Sequence, residues 1–415
     1  MTLWKRITTL CLVVGMTLPF AARAEEAKPG EFKIPGTETT ARLYGYAQLD
    51  LTFDVGARTN DIENNDWATI LPAVPADGTN DEKHKKPQLY LTTRTSRFGI
   101  ETKTPSAFGP VGVKLEGDFN APNAFQTETF TNSVIFRLRH AYGTIGGLLA
   151  GQTWSTFLDL AAYPDVVDFN GPGTIALVRN PMLRYTMPLA PNMSLTFAAE
   201  NARGAQFATT TKFQTAPDFH ANFQYTAPWG TVSVRGVTQY YRQVFTDAAG
   251  NTLDRDPASK WSASGAASGT VKFGADTLVW QFAGGPGIGR YYLNALGTGG
   301  SGAGGYTVDA AGNMQLWTVY GGHLGYTHVW NPMFRSNLVG AGSWASDANI
   351  NGVAATNAVQ KQWLQGFVNT FWTLTKTAEF GLEFAYGRWN SFENGTPELV
   401  GHQYRINSSF HYNFY

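Results

Sequence analysis

The chain has 415 residues, 14% of them aromatic and 45 of them glycine, and its Lys and Arg balance its Asp and Glu at 31 each. That balance argues against a nucleic-acid partner, whose phosphates call for a basic excess, and the single cysteine, Cys11, leaves no disulfide framework. The mean hydropathy of -0.21 would suit a soluble protein, yet a transmembrane barrel averages to a similar value because its wet face offsets its greasy one.

Lys5 and Arg6, the apolar stretch Ile7–Phe20 and the small-residue site Ala22–Ala24 follow one another in the order of a secretory signal. The apolar stretch is shorter than the roughly 20 residues a spanning helix needs. Cleavage is expected after Ala24, and it removes Cys11 and with it any lipid-anchored N-terminus. We read residues 1–24 as signal peptide, 25–38 as a short periplasmic lead and 39–415 as one transmembrane β-barrel.

The first strand is clear. Over Ala41–Asp54, Leu43, Gly45, Ala47, Leu49, Leu51 and Phe53 share one face, and Arg42, Tyr44, Tyr46, Gln48, Asp50, Thr52 and Asp54 share the other. A period of two with one apolar face is the pattern of a strand between lipid and water. In Thr92–Ile100, Phe98 and Ile100 take the lipid side, so Arg97 points inward. Arg94 is out of phase with it, and a bulge or a long upper strand is needed to aim both at the lumen. Val111–Asn120 puts Val111, Val113, Leu115 and Phe119 outward and Lys114, Glu116, Asp118 and Asn120 inward. Val134–Ala141 puts Phe136 and Leu138 outward and Arg137 and Arg139 inward, and Arg179 and Arg184 flank the next strand start. Weaker alternation runs through 194–200, 219–226, 232–241, 277–283, 316–327, 335–343 and 379–386. Tyr404–Tyr415 restores it, with Tyr404, Ile406, Phe410, Tyr412 and Phe414 outward and Arg405, Asn407, Ser409, His411 and Asn413 inward.

The connections alternate strictly. Short ones fall near 105–109, 143–147, 188–192, 227–230, 274–276, 331–332 and 374–376. Long polar or Gly-rich ones fall near 55–87, 120–132, 156–178, 202–216, 244–260, 288–313, 346–358 and 389–399. Seven turns and eight loops separate sixteen antiparallel strands, an all-β barrel with both ends on the short-turn side. The glycine tract 297–305 reads as an external loop. The loop Ser155–Val178 is different: Phe157, Leu158, Leu160, Ala161 and Ala162 come first, then Asp159, Asp165 and Asp168, then Gly171-Pro172-Gly173. Apolar residues are wasted on an external loop, so this one is expected to fold into the lumen as a constriction.

The chemistry lies in the lumen arginines. A row of guanidiniums in a narrow aqueous tube offers bidentate docking for carboxylates and concentrates anions. Arg94, Arg97, Arg137 and Arg139 form the core of such a row, with Arg179 and Arg184 beside them; Asp159, Asp165 and Asp168 on the loop would set up a transverse field. The competing reading has these arginines brace the wall by pairing with Glu101, Glu116, Asp118, Glu200 and Glu383. Histidines 84, 140, 220, 323, 328, 402 and 411 lack metal-ligand spacing, and no GxSxG is present. Gly285–Gly289 (GPGIG) reads as a strand exit rather than a nucleotide loop, so no cofactor and no metal are expected.

Several runs, in order, resemble the DcaP-like outer-membrane porins: Phe32–Thr39 (FKIPGTET), Tyr44–Tyr46 (YGY), Thr95–Gly99 (TSRFG) and, most specifically, Arg137–Gly143 (RLRHAYG) followed by Leu149–Phe157 (LAGQTWSTF). Arg179–Pro181, Arg184-Tyr185, Gly287–Tyr291, Trp330–Pro332 and Arg335–Leu338 extend the likeness over most of 32–415. The resemblance implies a homotrimer of sixteen-stranded barrels in outer-membrane lipid, passing small anionic solutes, dicarboxylates and aromatic acids among them. It also places Arg94, Arg97, Arg137, Arg139, Arg179 and Arg184 where such porins line the constriction. The coiled-coil lead of some members has no counterpart in 25–38, so a trimer would rest on the barrel walls. His140 and Thr238, polar at positions read as lipid-facing, are the expected contacts. The resulting expectation is a passive porin of a Gram-negative outer membrane, not an enzyme. The alternatives are a barrel lipase or protease and a plugged structural or adhesive barrel.

Overall fold

The computed structural model describes residues 29–57, 74, 76–79, 83, 86–121, 134–174, 177–202, 215–245, 249, 251–254, 256–292, 305–308, 311–346, 360–393 and 397–415. Residues 1–24, expected to be a signal segment, and most of the glycine tract 297–305 lie outside them.

Sixteen antiparallel strands form one closed barrel. They are β1 (Thr40–Ala57), β2 (Lys86–Thr92 and Arg97–Thr104, interrupted once), β3 (Val111–Asp118), β4 (Arg137–Ile145), β5 (Leu148–Trp154), β6 (Arg179–Ala190), β7 (Met193–Glu200) and β8 (Asp218–Ala227). The second half comprises β9 (Gly230–Gln243), β10 (Ala258–Phe273), β11 (Asp276–Pro286), β12 (Thr318–Asn331), β13 (Phe334–Ala345), β14 (Gln360–Thr375), β15 (Ala378–Ser391) and β16 (Val400–Asn413). Each strand pairs with its neighbour in sequence, and β1 pairs with β16 from Tyr46↔Asn413 to Asp54↔Arg405. Closure leaves no open sheet edge, which is the condition for strands to cross lipid. The short strand Glu31–Lys33 extends the sheet beside the start of β1, pairing Glu31 with Arg42.

The sixteen strands, short turns and long loops agree with the expected alternation. Outward positions carry exposed apolar side chains all round, among them Leu43, Phe98, Leu115, Leu183, Phe197, Val234, Phe282, Leu324, Leu338, Val368, Phe384 and Ile406. Each such methylene left in lipid rather than water favours the inserted state. Across the seam, Arg405 donates to Asp54 through Nε at 2.6 Å and Nη2 at 2.9 Å, so a bidentate ion pair ties the last strand to the first.

Two local details differ from the alternation. The second strand breaks at 93–96, where Thr95 Oγ1 donates to Asp50 Oδ2 (2.6 Å) and Ser96 Oγ accepts from Gln48 N (3.0 Å). That break resolves the phase of Arg94, which lies in the interruption and is buried, while Arg97 opens the lower half-strand. The second detail corrects an expectation. Opposite Glu116 and Gly117 the register shifts, so Arg139 is an extra residue and His140 pairs with Glu116. A bulge moves every later side chain to the other face. His140 therefore points inward, bonding Thr153 Oγ1 through Nδ1 at 3.0 Å, and is no lipid-face contact. Thr238 remains outward and exposed.

Candidate functional site

Inside the barrel, β1–β6 present a charged wall. Arg137 binds Asp118 bidentately at 2.8 Å through Nε and Nη2, and Arg139 binds Glu116 (2.8 Å) and Asp118 (2.7 Å). Asp118 and Arg139 are almost fully buried, at 0% and 3% exposure. These two arginines do what the bracing reading anticipated: they knit β3 to β4. A buried carboxylate stripped of its guanidinium would be costly, so the pairs lock one another.

Glu116 is oversubscribed. Besides Arg139 it accepts from Tyr44 Oη at 2.8 Å, while Arg97, Lys114 and His140 all stand at 3.6 Å. One carboxylate cannot neutralise them all. Arg97 lies over the Tyr46 ring, 5.2 Å from its centroid. Arg179 lies over Trp154 at 4.4 Å, and Arg139 sits 5.4 Å from the same ring. Among the described residues Arg179 has no carboxylate at ion-pairing distance. Arg184, among the described residues, has only the Trp154 carbonyl, at 3.5 Å. The structure separates Arg137 and Arg139, which are held by short hydrogen bonds to acids, from Arg179, which meets no carboxylate at that distance among the described residues.

The facing wall is different. On β9–β15 many inward positions are apolar: Val237, Ala266, Ala283, Val319, Val339, Ala341, Trp363, Phe367, Ala385 and Trp389 join one buried cluster. Loop residues Val74, Ala76, Phe157, Ile288, Tyr291, Tyr292, Trp317 and Phe392 join them. Residues 155–174 run over this wall from strand to strand. Arg235 holds the Phe157 carbonyl (2.6 Å), Ser268 donates to Asp159 (2.6 Å), and His323 bonds the Ala162 carbonyl (2.9 Å) and Thr174 Oγ1 (2.9 Å). Glu383, 1% exposed, accepts the backbone N–H groups of Val167 (2.8 Å) and Asp168 (3.0 Å) and the side-chain amides of Asn369 (2.9 Å) and Asn407 (3.0 Å). Gly173 N donates to Gln365 Oε1 at 2.9 Å.

The loop acids are committed here. Asp165 takes Arg335 Nε at 2.6 Å, Arg335 also binds Glu379 at 2.6 Å, and Asp168 stands 3.5 Å from Arg405. Asp159 caps the short turn Leu160–Ala162 as well as meeting Ser268. Their partners are on β10, β13 and β16, so each acid is taken up by side chains of the wall the loop covers. Of the expected apolar residues, Phe157, Leu158 and Ala162 are buried, while Leu160 is exposed.

The profile of the DcaP outer membrane protein family matches residues 23–414. The chain belongs to that family. Its barrel is similar to the crystal structure of the outer membrane channel DcaP of Acinetobacter baumannii, with a TM-score of 0.74, 22% identity, and 92% of this chain and 99% of that one covered. It also resembles an anion-selective porin from Comamonas acidovorans (TM-score 0.54, 12% identity, 91% and 100% covered). A third is OmpT, an outer membrane protein of Vibrio cholerae, in a trimer form (TM-score 0.53, 12% identity, 91% and 99% covered). At these identities the likeness shows the fold. No curated protein matches the chain.

In this DcaP-family barrel the sequence left the loop anchors His323, Gln365 and Arg335 and the aromatic supports Tyr46 and Trp154 without a role, and it offered Glu383 as an arginine partner, whereas Glu383 holds the loop's backbone N–H groups. The inward phase of Glu379 and Glu383 was readable on β15, but their partners were not: Glu379 meets Arg335, 44 residues away, and Glu383 meets Val167, 216 residues away. Among the described residues no His, Asp and Glu cluster could hold a metal ion.

Proposed function

We propose that this outer-membrane porin is a passive, anion-preferring diffusion channel for small carboxylates, dicarboxylates and aromatic acids among them, working as a homotrimer and without chemistry on the solute. Maturation removes the signal near Ala24. The observation that carries the preference is Arg179, a guanidinium on an aromatic support with no carboxylate at pairing distance among the described residues. Arg97 supplements it, held only at 3.6 Å by a carboxylate already engaged by Arg139 and Tyr44. Guanidiniums whose donors are not consumed by the wall remain available to a passing carboxylate. The loop on the opposite wall narrows the path and presses solutes toward β1–β6. The anion selectivity of the Comamonas porin and the trimer form of the Vibrio protein are consistent with this reading.

The test is the reversal potential of purified barrels across a KCl gradient. Wild type is expected to favour chloride. Arg179→Gln is expected to lower the anion-to-cation permeability ratio about two- to threefold, the effect of losing one wall charge worth about 0.5 kcal/mol in water-filled surroundings. An unchanged ratio would remove Arg179 from the filter, and absence of conductance would favour the plugged barrel.

A further inference from the structure

At the periplasmic end of the charged wall, Arg42, Glu101, Lys103, Lys114, Tyr142 and Thr144 line a cavity of about 290 Å³. Its cations outnumber its acids even with Glu31 counted at the rim. Arg42 is held by Glu101 at 2.7 Å. Lys114 is less engaged: its nearest acid, Glu116, stands at 3.6 Å and already takes short hydrogen bonds from Arg139 and Tyr44. The Tyr44 ring lies between the two cations, 4.8 Å from Arg42 and 4.9 Å from Lys114. Because its hydroxyl donates to Glu116, the ring is fixed where it supports both cations. Gly112 keeps the cavity open, since a Cβ there would stand 2.6 Å from Thr144 Oγ1.

We propose that this cavity is a second docking station, which takes the carboxylate of a small organic anion at the periplasmic exit. The proposal rests on the anion-channel reading above and extends it. Arg97 and Lys114 flank Glu116 at the same 3.6 Å, so an anion leaving Arg97 meets Lys114 next and then Arg42. Successive weak sites let a solute leave a constriction in steps rather than in one costly release into water. The Lys114 ammonium, with Tyr142 and Thr144 beside it in the cavity lining, fits a carboxylate group.

The experiment uses the full barrel, oriented in planar bilayers, with succinate added to one side at a time as the blocking probe. Lys114→Gln is expected to shorten succinate blockages entered from the periplasmic side about tenfold, with blockages from the extracellular side unchanged. Lys114→Arg is expected to restore them, which a mere loss of packing would not allow. Periplasmic-side blockage that is absent in wild type, or that Lys114→Gln leaves unchanged, overturns the station. The KCl reversal potential reports separately on the anion preference, so a lost station with chloride still favoured leaves the proposed function standing.

Discussion

The two halves of the barrel use their inward positions in opposite ways. On β1–β6 the inner face is charged and partly wet, and the side chains there hold one another at fixed distances while leaving Arg179 and Arg97 available. On β9–β15 the inner face mixes a buried apolar cluster with buried polar side chains such as Gln239, His323, Gln365 and Glu383, and is covered by the chain's own loop residues. A porin lumen is usually polar, so an apolar inner wall needs a cover; here residues 155–174 supply it. Charge alone does not mark a pore-lining residue. Arg235 and Arg405 are inward, like Arg179, yet at 3% and 0% exposure they are structural.

The strongest way to break this contrast is to unseat the cover. Glu383→Ala removes one acceptor and leaves two backbone N–H groups and two side-chain amides without it. Each buried donor left unpaired costs about 1–3 kcal/mol, so the loss is on the order of 4 kcal/mol or more. The loop is expected to leave the wall, raising single-channel conductance and lowering the temperature at which the folded band disappears on a gel. Glu383→Gln, which keeps one acceptor, should fall between. Unchanged conductance in the alanine variant would mean that the loop does not narrow the path.

A smaller effect separates the two kinds of arginine on the charged wall. Arg139→Gln strips both Glu116 and Asp118 of a partner at almost complete burial, and breaking such a pair costs about 3–5 kcal/mol. Arg179→Gln forfeits one cation–aromatic contact, about 0.5–2 kcal/mol. Melting followed by circular dichroism should therefore rank Arg139→Gln well below Arg179→Gln. Equal melting temperatures would erase the division between brace and filter.

How much of this was readable follows from the same contrast. Strand number and turn positions were legible because outward apolar residues alternate with polar ones and because Gly, Pro and Asn mark the turns. The alternation fails where the loop packs. In β14, inward Trp363, Phe367 and Phe371 alternate with outward Leu364, Val368 and Trp372, so both faces look greasy and the period disappears. His140 was misplaced because one bulge, invisible without the partner strand, inverts the phase. The arginines were found by phase, but whether each was consumed depended on acids whose geometry is tertiary: Asp165 meets Arg335 across 170 residues. Local period reads faces; it does not read partners.

The finest distinction concerns glycine. On β15, Gly381 faces the loop, and a Cβ there would stand 2.9 Å from Val167 Cγ2 and 2.8 Å from the Phe371 ring. On β13, Gly340 faces outward, and a Cβ there meets nothing within 4 Å. Gly381→Ala must displace Val167, one residue from Asp168, and overpacking of this kind costs about 1–3 kcal/mol. Because Val167 N is bound to Glu383, the shift works directly against that anchor, and a modest rise in conductance should accompany the lower melting temperature. Gly340→Ala adds a methyl to the lipid face and should leave conductance as it was. If the two alanines behave alike, the loop is not seated against β15 at Gly381.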